Sequence, residues 1–251
     1  GFSVVPVALL FFLWPAVALA KAADDSKPVY FPVNNFQAVL IAFILLFTIY
    51  GLLFTARLWQ ADYLYNLGKN QSKAKQLQAG WQNLNRAVQL SPNEPVFRND
   101  LAETEAQLAT AYPEFIDKAV KNANLVINQN PVSLNFWRSR VKIFLTLAIV
   151  DQNYYNQALE AFDRALALAP TDAKLTYNLG LVYSQLGQTG LTEQLLVKTI
   201  DLKPNYEAAR NSLGSLYEQT QRPKLAREQY EYILKFLNPD SLTAKEKLEL
   251  L

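Results

Sequence analysis

The chain has 251 residues, with 24 Lys and Arg against 22 Asp and Glu and a formal net charge of +2, so it lacks the strongly basic character that nucleic-acid binding requires. It contains no His and no Cys, which excludes Ser-His-Asp and Cys-His catalytic sets, thiolate or imidazole metal sites and disulfides. It also shows no catalytic carboxylate pair, phosphate-binding glycine loop or nucleophile motif. We therefore predict no catalytic, cofactor-binding or metal-binding residues and no nucleic-acid partner.

The N-terminal part is almost free of charge, because residues 1–56 carry only Lys21, Asp24, Asp25 and Lys27. These four residues form one short cluster between two apolar runs. Uncharged stretches of this length are rarely solvent-exposed protein surface, so the N-terminal part is predicted to lie in a membrane.

The first apolar run covers residues 1–20, and about 20 residues cross a bilayer core of roughly 30 Å as a helix. Pro6 and Pro15 suit a membrane helix better than a soluble one, because neighbouring helices satisfy the backbone groups that proline frees. The run is predicted to be a transmembrane helix. A signal peptide cleaved after Ala18-Leu-Ala20 is the alternative, although no Lys or Arg precedes the run.

The second run, residues 36–56, contains no Pro and no charge and is predicted to be another transmembrane helix. Arg57, Trp59 and Tyr63 follow it and suit the membrane interface. A fully buried core helix would need a large soluble domain around it, which the remaining sequence does not resemble. Residues 21–35 form a polar loop between the two predicted spans.

The chain begins with Gly1 at the edge of an apolar run, and no Met occurs anywhere. We therefore expect an internal or C-terminal piece of a longer protein, with a processed product as the alternative.

After the second run, prolines recur at nearly regular intervals. Their gaps are 39, 39, 34 and 35 residues, and the positions are Pro92, Pro131, Pro170, Pro204 and Pro239. A near-fixed period in this range is typical of stacked helical hairpins. The sharpest copies are residues 176–183 and 210–217, which share Leu-Gly-x-x-Tyr.

This pattern resembles the tetratricopeptide repeat. It predicts an all-α fold in which about five repeats over residues 57–240 form a superhelix, or α-solenoid, with a capping helix at residues 241–251. Small and aromatic residues of the repeat are expected to pack between helices rather than to bind a ligand. The small residues mark close helix contacts and the tyrosines fill space between hairpins: Gly68, Ala158, Gly180, Gly214 and Ala226, with Tyr183 and Tyr217.

Such an array presents a groove lined by the first helices of its hairpins. Register places a mixture of cations, amides and apolar residues there: Arg138, Lys142, Tyr177, Asn178, Leu181, Gln185 and Asn211. Some members of the repeat family clamp a C-terminal carboxylate, and Arg138, Lys142 and Asn178 could imitate part of that arrangement. The next repeat offers Ala208 and Ser212 where cations would be needed, so a solvated face is the alternative.

The order of the parts resembles the C-terminal end of bacterial O-antigen ligase or polymerase-like membrane proteins. A pair of apolar runs is followed directly by Ala61-Asp62-Tyr63 and Leu67-Gly68, and residues 92–95 close the first repeat. The resemblance implies transfer of a lipid-linked glycan by a catalytic part that precedes Gly1, since the Arg and His residues of that machinery have no counterpart in this sequence.

The resemblance also implies a multi-pass protein of the plasma membrane with extracytoplasmic repeats that recruit a protein partner or position the acceptor glycan. The positive charges weakly favour the opposite orientation, because Arg57, Lys69, Lys73 and Lys75 outnumber Lys21 and Lys27. The alternative function is an independent membrane-tethered repeat scaffold for envelope assembly or secretion.

Overall fold

A computed structural model of the chain describes residues 34–251. The predicted span at residues 1–20, its signal-peptide alternative and most of the predicted loop at residues 21–35 lie outside the described part. The helices are α1 (Asn35–Lys73), α2 (Leu77–Leu90), α3 (Pro95–Ala109), α4 (Ile116–Gln129), α5 (Leu134–Leu147), α6 (Tyr154–Leu168), α7 (Ala173–Gln185), α8 (Thr189–Leu202), α9 (Glu207–Gln219), α10 (Pro223–Tyr232) and α11 (Leu242–Glu249). A 3-10 turn (Pro113–Phe115) precedes α4, and a π-helical turn (Ile233–Leu237) continues α10.

Consecutive helices pair into antiparallel hairpins, α1 with α2, α3 with α4, α5 with α6, α7 with α8, and α9 with α10. Each hairpin packs on the next, and α11 packs against α10. Residues 34–251 contain helices and no strands, which confirms the predicted all-α solenoid class. The five regularly spaced prolines each lie two residues beyond the end of a second helix or its π turn, where their missing N–H and fixed φ stop the helix.

The small residues lie where helices approach closely. Ala158 and Ala226 have no exposed surface, and Gly180 and Gly214 are buried. A methyl group added at Gly214 would come within 2.6 Å of the Tyr230 ring, and one added at Gly68 would come within 2.8 Å of the Gly80 carbonyl oxygen. These glycines therefore set the distance between the two helices of their hairpins.

The two tyrosines of the shared motif differ in their surroundings. Tyr217 is buried in the apolar cluster of α9 and α10, whereas Tyr183 is only half-buried at the edge of the cluster formed by α5 to α7. Tyr183 thus packs on the outside of this apolar cluster and does not fill the space between hairpins.

Helix α1 is continuous through residues 56 and 57, where the sequence pattern placed the boundary between membrane span and repeats. Its first turn is closed by a capping box, in which Asn34 Oδ1 accepts from the Gln37 N–H at 2.8 Å and Gln37 Oε1 accepts from the Asn34 N–H at 3.1 Å. Within residues 34–251 it is the one helix long and apolar enough to cross a membrane, and none of its apolar window is buried.

The C-terminal part of α1 is the first helix of the first hairpin. Ala61, Tyr65 and Gly68 are buried there, on the side that packs against α2. The Tyr65 ring stacks on Phe97 of α3 with centroids 4.3 Å apart, so this part of α1 belongs to the repeat core.

Candidate binding groove

Three clefts follow one another along the first helices of the hairpins, and together we call them the groove. The basic cleft, of about 450 Å³, lies among α1, α3 and α5. The central cleft, of about 690 Å³, lies between α5 and α7. The distal cleft, of about 250 Å³, lies between α7 and α9. Lys142 and Thr146 line both the basic and central clefts, and Leu181 lines both the central and distal clefts, so the three are contiguous.

The central cleft has apolar walls and a polar rim. Its walls come from α5, the turn that follows α5, and α7: Val141, Leu145, Ile149, Leu175, Leu181 and Val182. Helix α3 packs directly on α5, whereas α5 and α7 barely touch, which leaves the space between them open. Ile149 is 76 % exposed and Leu181 36 % exposed, so this apolar surface is accessible to a partner.

The groove candidates chosen by register are only partly brought together. Arg138, Lys142 and Asn178 line the central cleft with Leu181 and Gln185. Asn211 lines the distal cleft, and its Oδ1 is buried without a hydrogen-bond partner in the part of the chain that the structure describes.

Tyr177 instead lies at the junction of two hairpins. Its hydroxyl is 3.1 Å from Ser212 Oγ, and its ring centroid is 5.0 Å from that of Tyr206. It connects α7 to α9 and to the turn before α9, and so supports the groove without lining the three clefts.

Of the three cations that line the central cleft, Arg138 and Lys142 have carboxylate partners, whereas Lys174 is exposed. Lys142 Nζ lies 2.6 Å from Glu103 Oε2, and the Arg138 guanidinium pairs with Asp172. Asp172 also caps α7, because its Oδ1 accepts from the N–H groups of Lys174 at 2.9 Å and Leu175 at 3.0 Å. A carboxylate clamp of the predicted kind would have to displace both ion pairs, so Arg138 and Lys142 chiefly join neighbouring hairpins.

The pKa of Asp172 reflects this double role. Partial burial acts to raise it, but hydrogen bonds from the Leu175 N–H, the Arg138 guanidinium and the Lys174 N–H outweigh burial and hold the pKa below its ordinary value. The carboxylate is therefore ionised at neutral pH and keeps its bond to Arg138.

The basic cleft was not predicted from the sequence. Lys69, Lys73, Lys75 and Lys142 surround Asp100 and Glu103. Lys69 Nζ lies 3.1 Å from Asp100 and donates to the Tyr65 hydroxyl at 2.8 Å. That hydrogen bond, with support from Asp100 and against partial burial, raises the pKa of Lys69 to about 12.

Lys73 and Lys75 are exposed and form no ion pair within residues 34–251, which gives this end of the groove a positive charge. Lys69 and Lys73 follow Gly68 one helical turn apart, so extending the repeat register into the first copy would have found them.

Comparisons with known proteins agree with this architecture. A family model described as TPR repeat matches residues 147–187, from the end of α5 to the turn after α7. The protein ycf37 of Guillardia theta is 32 % identical over 117 residues, which cover 44 % of this chain and 65 % of that protein. The chain spans less than two thirds of the length of the curated relatives that it matches.

Two solved structures share the fold. A thermophilic TPR protein of Thermus thermophilus is 23 % identical with a TM-score of 0.52, and the match covers 76 % of this chain and 97 % of that one. YrrB, described as a TPR protein with an unusual peptide-binding site, is 14 % identical with a TM-score of 0.51, over 74 % of this chain and 90 % of that one. The described residues therefore form a solenoid of the tetratricopeptide-repeat fold.

Proposed function

We propose that this tetratricopeptide-repeat protein binds an extended segment of a partner protein in the groove. The observation that carries the proposal is the contiguity of the three clefts along the first helices, with accessible apolar walls in the middle. An extended chain rises about 3.3 Å per residue, so a single segment can run through all three clefts with successive side chains in different ones.

Two features of the groove favour a peptide chain as its occupant. Burial of apolar side chains against Ile149 and Leu181 would stabilise the complex by roughly 25 cal/mol per Å² removed from water. The exposed Ser184 and Gln219 side chains line the distal cleft and can hydrogen-bond to the backbone that an extended peptide presents along its length. The peptide-binding site named for YrrB supports the same use of this fold.

The charge of the groove restricts the segment further. Lys73 and Lys75 are exposed at the basic cleft, so acidic residues of the segment are expected there, and apolar residues are expected at the central cleft. A glycan acceptor is the alternative occupant, and the apolar walls of the central cleft favour protein over glycan.

We also propose that residues 36–56 anchor the protein in a membrane. The length and hydropathy of this part of α1, the absence of buried residues in it, and Arg57, Trp59 and Tyr63 at its end support the anchor. The O-antigen ligase-like parent, its plasma-membrane location and the extracytoplasmic side of the repeats stay predictions from the sequence, as does the independent scaffold.

A peptide selection on the full chain in lipid nanodiscs tests the groove. Selected peptides are expected to carry apolar residues next to acidic ones. Leu181→Arg in the groove is expected to weaken their binding at least tenfold, about 1.4 kcal/mol at 25 °C, as measured by fluorescence anisotropy. Leu168→Arg is the matched control, because Leu168 is 42 % exposed on a second helix and lines none of the three clefts.

Equal weakening by both substitutions would contradict groove binding. Competition by oligosaccharides at the same site would favour the glycan alternative.

A further inference from the structure

One hydrogen-bonded contact fixes the height of the first hairpin along α1. Arg57 Nε donates to the Leu90 carbonyl at 2.9 Å, and Arg57 Nη2 donates to the Gln89 carbonyl at 3.4 Å. Arg57 is the first charged residue after the apolar span. The C-terminal end of α2 is therefore level with the end of the span.

The contact has a clear physical cause. The last carbonyls of a helix lack intrahelical partners and carry partial negative charge. Helix α2 has no basic residue in its last turn, so Arg57 of α1 supplies both the donors and the positive charge. The contact therefore caps α2 and holds its C-terminal end against Arg57.

From this contact we infer that the loop at residues 91–94, between α2 and α3, rests on the lipid headgroup surface. The inference depends on the proposed membrane anchor. Because α1 is continuous from Arg57 to Lys73, the turn at residues 74–76 lies about 24 Å farther along the helix, at 1.5 Å per residue. The two ends of the first hairpin thus have different environments, one at the membrane and one in the aqueous phase.

The residues at the membrane-proximal end suit a headgroup surface. Trp59 and Tyr63 are 60 % and 58 % exposed and stack with ring centroids 6.3 Å apart. Amphipathic aromatic rings of this kind concentrate at headgroup level. The loop itself carries one charged residue, Glu94, and is followed by the exposed Val96.

The loop between α4 and α5 lies at the same end of the second hairpin, because successive helices are antiparallel. It contains no charged residue, and its Val132 is 80 % exposed. Lys69 and Lys73 of the basic cleft, in contrast, lie at the far end of α1, and Lys75 lies in the turn that follows it. The basic cleft, which is the end of the groove at the first hairpin, therefore faces the aqueous phase. A segment of a soluble protein can enter the groove there.

The absence of cysteine makes a direct test possible, since one introduced Cys is the only site of thiol labelling. Three variants of the full chain, Ile44→Cys, Asn93→Cys and Gln76→Cys, are labelled with an environment-sensitive fluorophore and reconstituted in vesicles. Spin-labelled lipids then quench each probe from the headgroup or from the acyl chain. We expect acyl-chain quenching at position 44, headgroup quenching at position 93 and background quenching at position 76.

Each result has one meaning. Failure of the acyl-chain quencher at position 44 would contradict the membrane anchor itself. Quenching at position 44 with equal headgroup quenching at positions 93 and 76, or with none at either, would leave the anchor intact and overturn the proposed orientation. The Gln76 side chain makes no capping hydrogen bond, so its replacement leaves the turn undisturbed.

Discussion

Helix α1 contains two regions that form one continuous helix but differ in how much of their surface is buried. Residues 35–56 bury no side chain against the rest of the described chain, whereas residues 57–73 bury Ala61, Tyr65 and Gly68. Each region contains one glycine. A methyl group at Gly51 would meet nothing within 4 Å, and one at Gly68 would meet the Gly80 carbonyl oxygen at 2.8 Å.

Helix continuity and tertiary role in α1 are set by different features of the sequence. Local propensity and the absence of a helix breaker carry the helix through residues 56 and 57. The surroundings then decide the role, since small residues admit α2 in the second region and large apolar residues cover every side of the first. Substitutions in the two regions should therefore affect different properties.

Charges in the first region are expected to have the largest effect. The double variant Ile44→Arg, Phe47→Arg places two cations in the apolar segment and should disfavour membrane insertion by about 5 to 7 kcal/mol. Sedimentation with membranes after a high-salt wash measures the loss. The midpoint of thermal unfolding of the repeats should stay unchanged, and an equal fall in that midpoint would show that the two regions are not separable.

The next largest effect is expected when Gly68 is replaced, whereas the same replacement at Gly51 should have none. Gly68→Leu forces α1 and α2 apart and should lower the free energy of unfolding of the repeats by about 1 to 3 kcal/mol, as overpacking does elsewhere. Gly51→Leu is the matched control on the same helix and should leave repeat unfolding unchanged. Chemical denaturation followed by circular dichroism measures both, and similar losses in the two variants would contradict the packing at Gly68.

The contact of Arg57 with α2, at the boundary of the two regions, should have a smaller effect. Arg57→Gln removes the charged donor that binds the last carbonyls of α2 and should lower the free energy of unfolding. The loss should be only about 1 kcal/mol, because Arg57 is exposed to solvent. Arg86→Gln, at an exposed position on α2 that makes no ion pair within residues 34–251, is the control. Equal unfolding midpoints of the two variants would show that the Arg57 bonds do not stabilise the hairpin.

The smallest effect is expected from a substitution in a turn of the repeats, which should change only their stability. Gln221 has φ of 57° in the turn between α9 and α10, at the position where the preceding repeat has Gly187 with φ of 71°. Gln221→Gly should raise the free energy of unfolding by about 0.5 to 1 kcal/mol, because glycine tolerates this backbone region without steric conflict. A decrease in the thermal midpoint, or any change in membrane sedimentation, would count against this account.

The sequence was sufficient to predict the repeat fold because its signals are local. The proline that follows each second helix or its π turn, and the buried Gly or Ala between the two helices, each depend on residues of a single hairpin. The boundary at residue 56 marked a change of composition and not the end of a helix, since no Gly or Pro interrupts residues 52–67.

The groove was harder to predict because its properties depend on pairs of residues far apart in the chain. Register placed Arg138, Lys142 and Asn178 on the groove side, and the three residues line one cleft. It did not show that Arg138 pairs with Asp172, one repeat later, or that Lys142 pairs with Glu103 of the preceding hairpin. Tyr177 was placed in the groove because register gives the side of a helix, whereas its hydrogen bond to Ser212 depends on how α7 meets α9.

The prolines that end the second helices have a consequence for the evolution of the array. Pro170 and Pro204 are 34 residues apart and stand at equivalent places, each before the first helix of a hairpin. Loss of residues 171–204 would join one such place to the next and remove one complete hairpin without cutting through a helix. The array can therefore gain or lose length in whole units, and the number of clefts, and with it the length of the segment that fits, can change in single genetic steps.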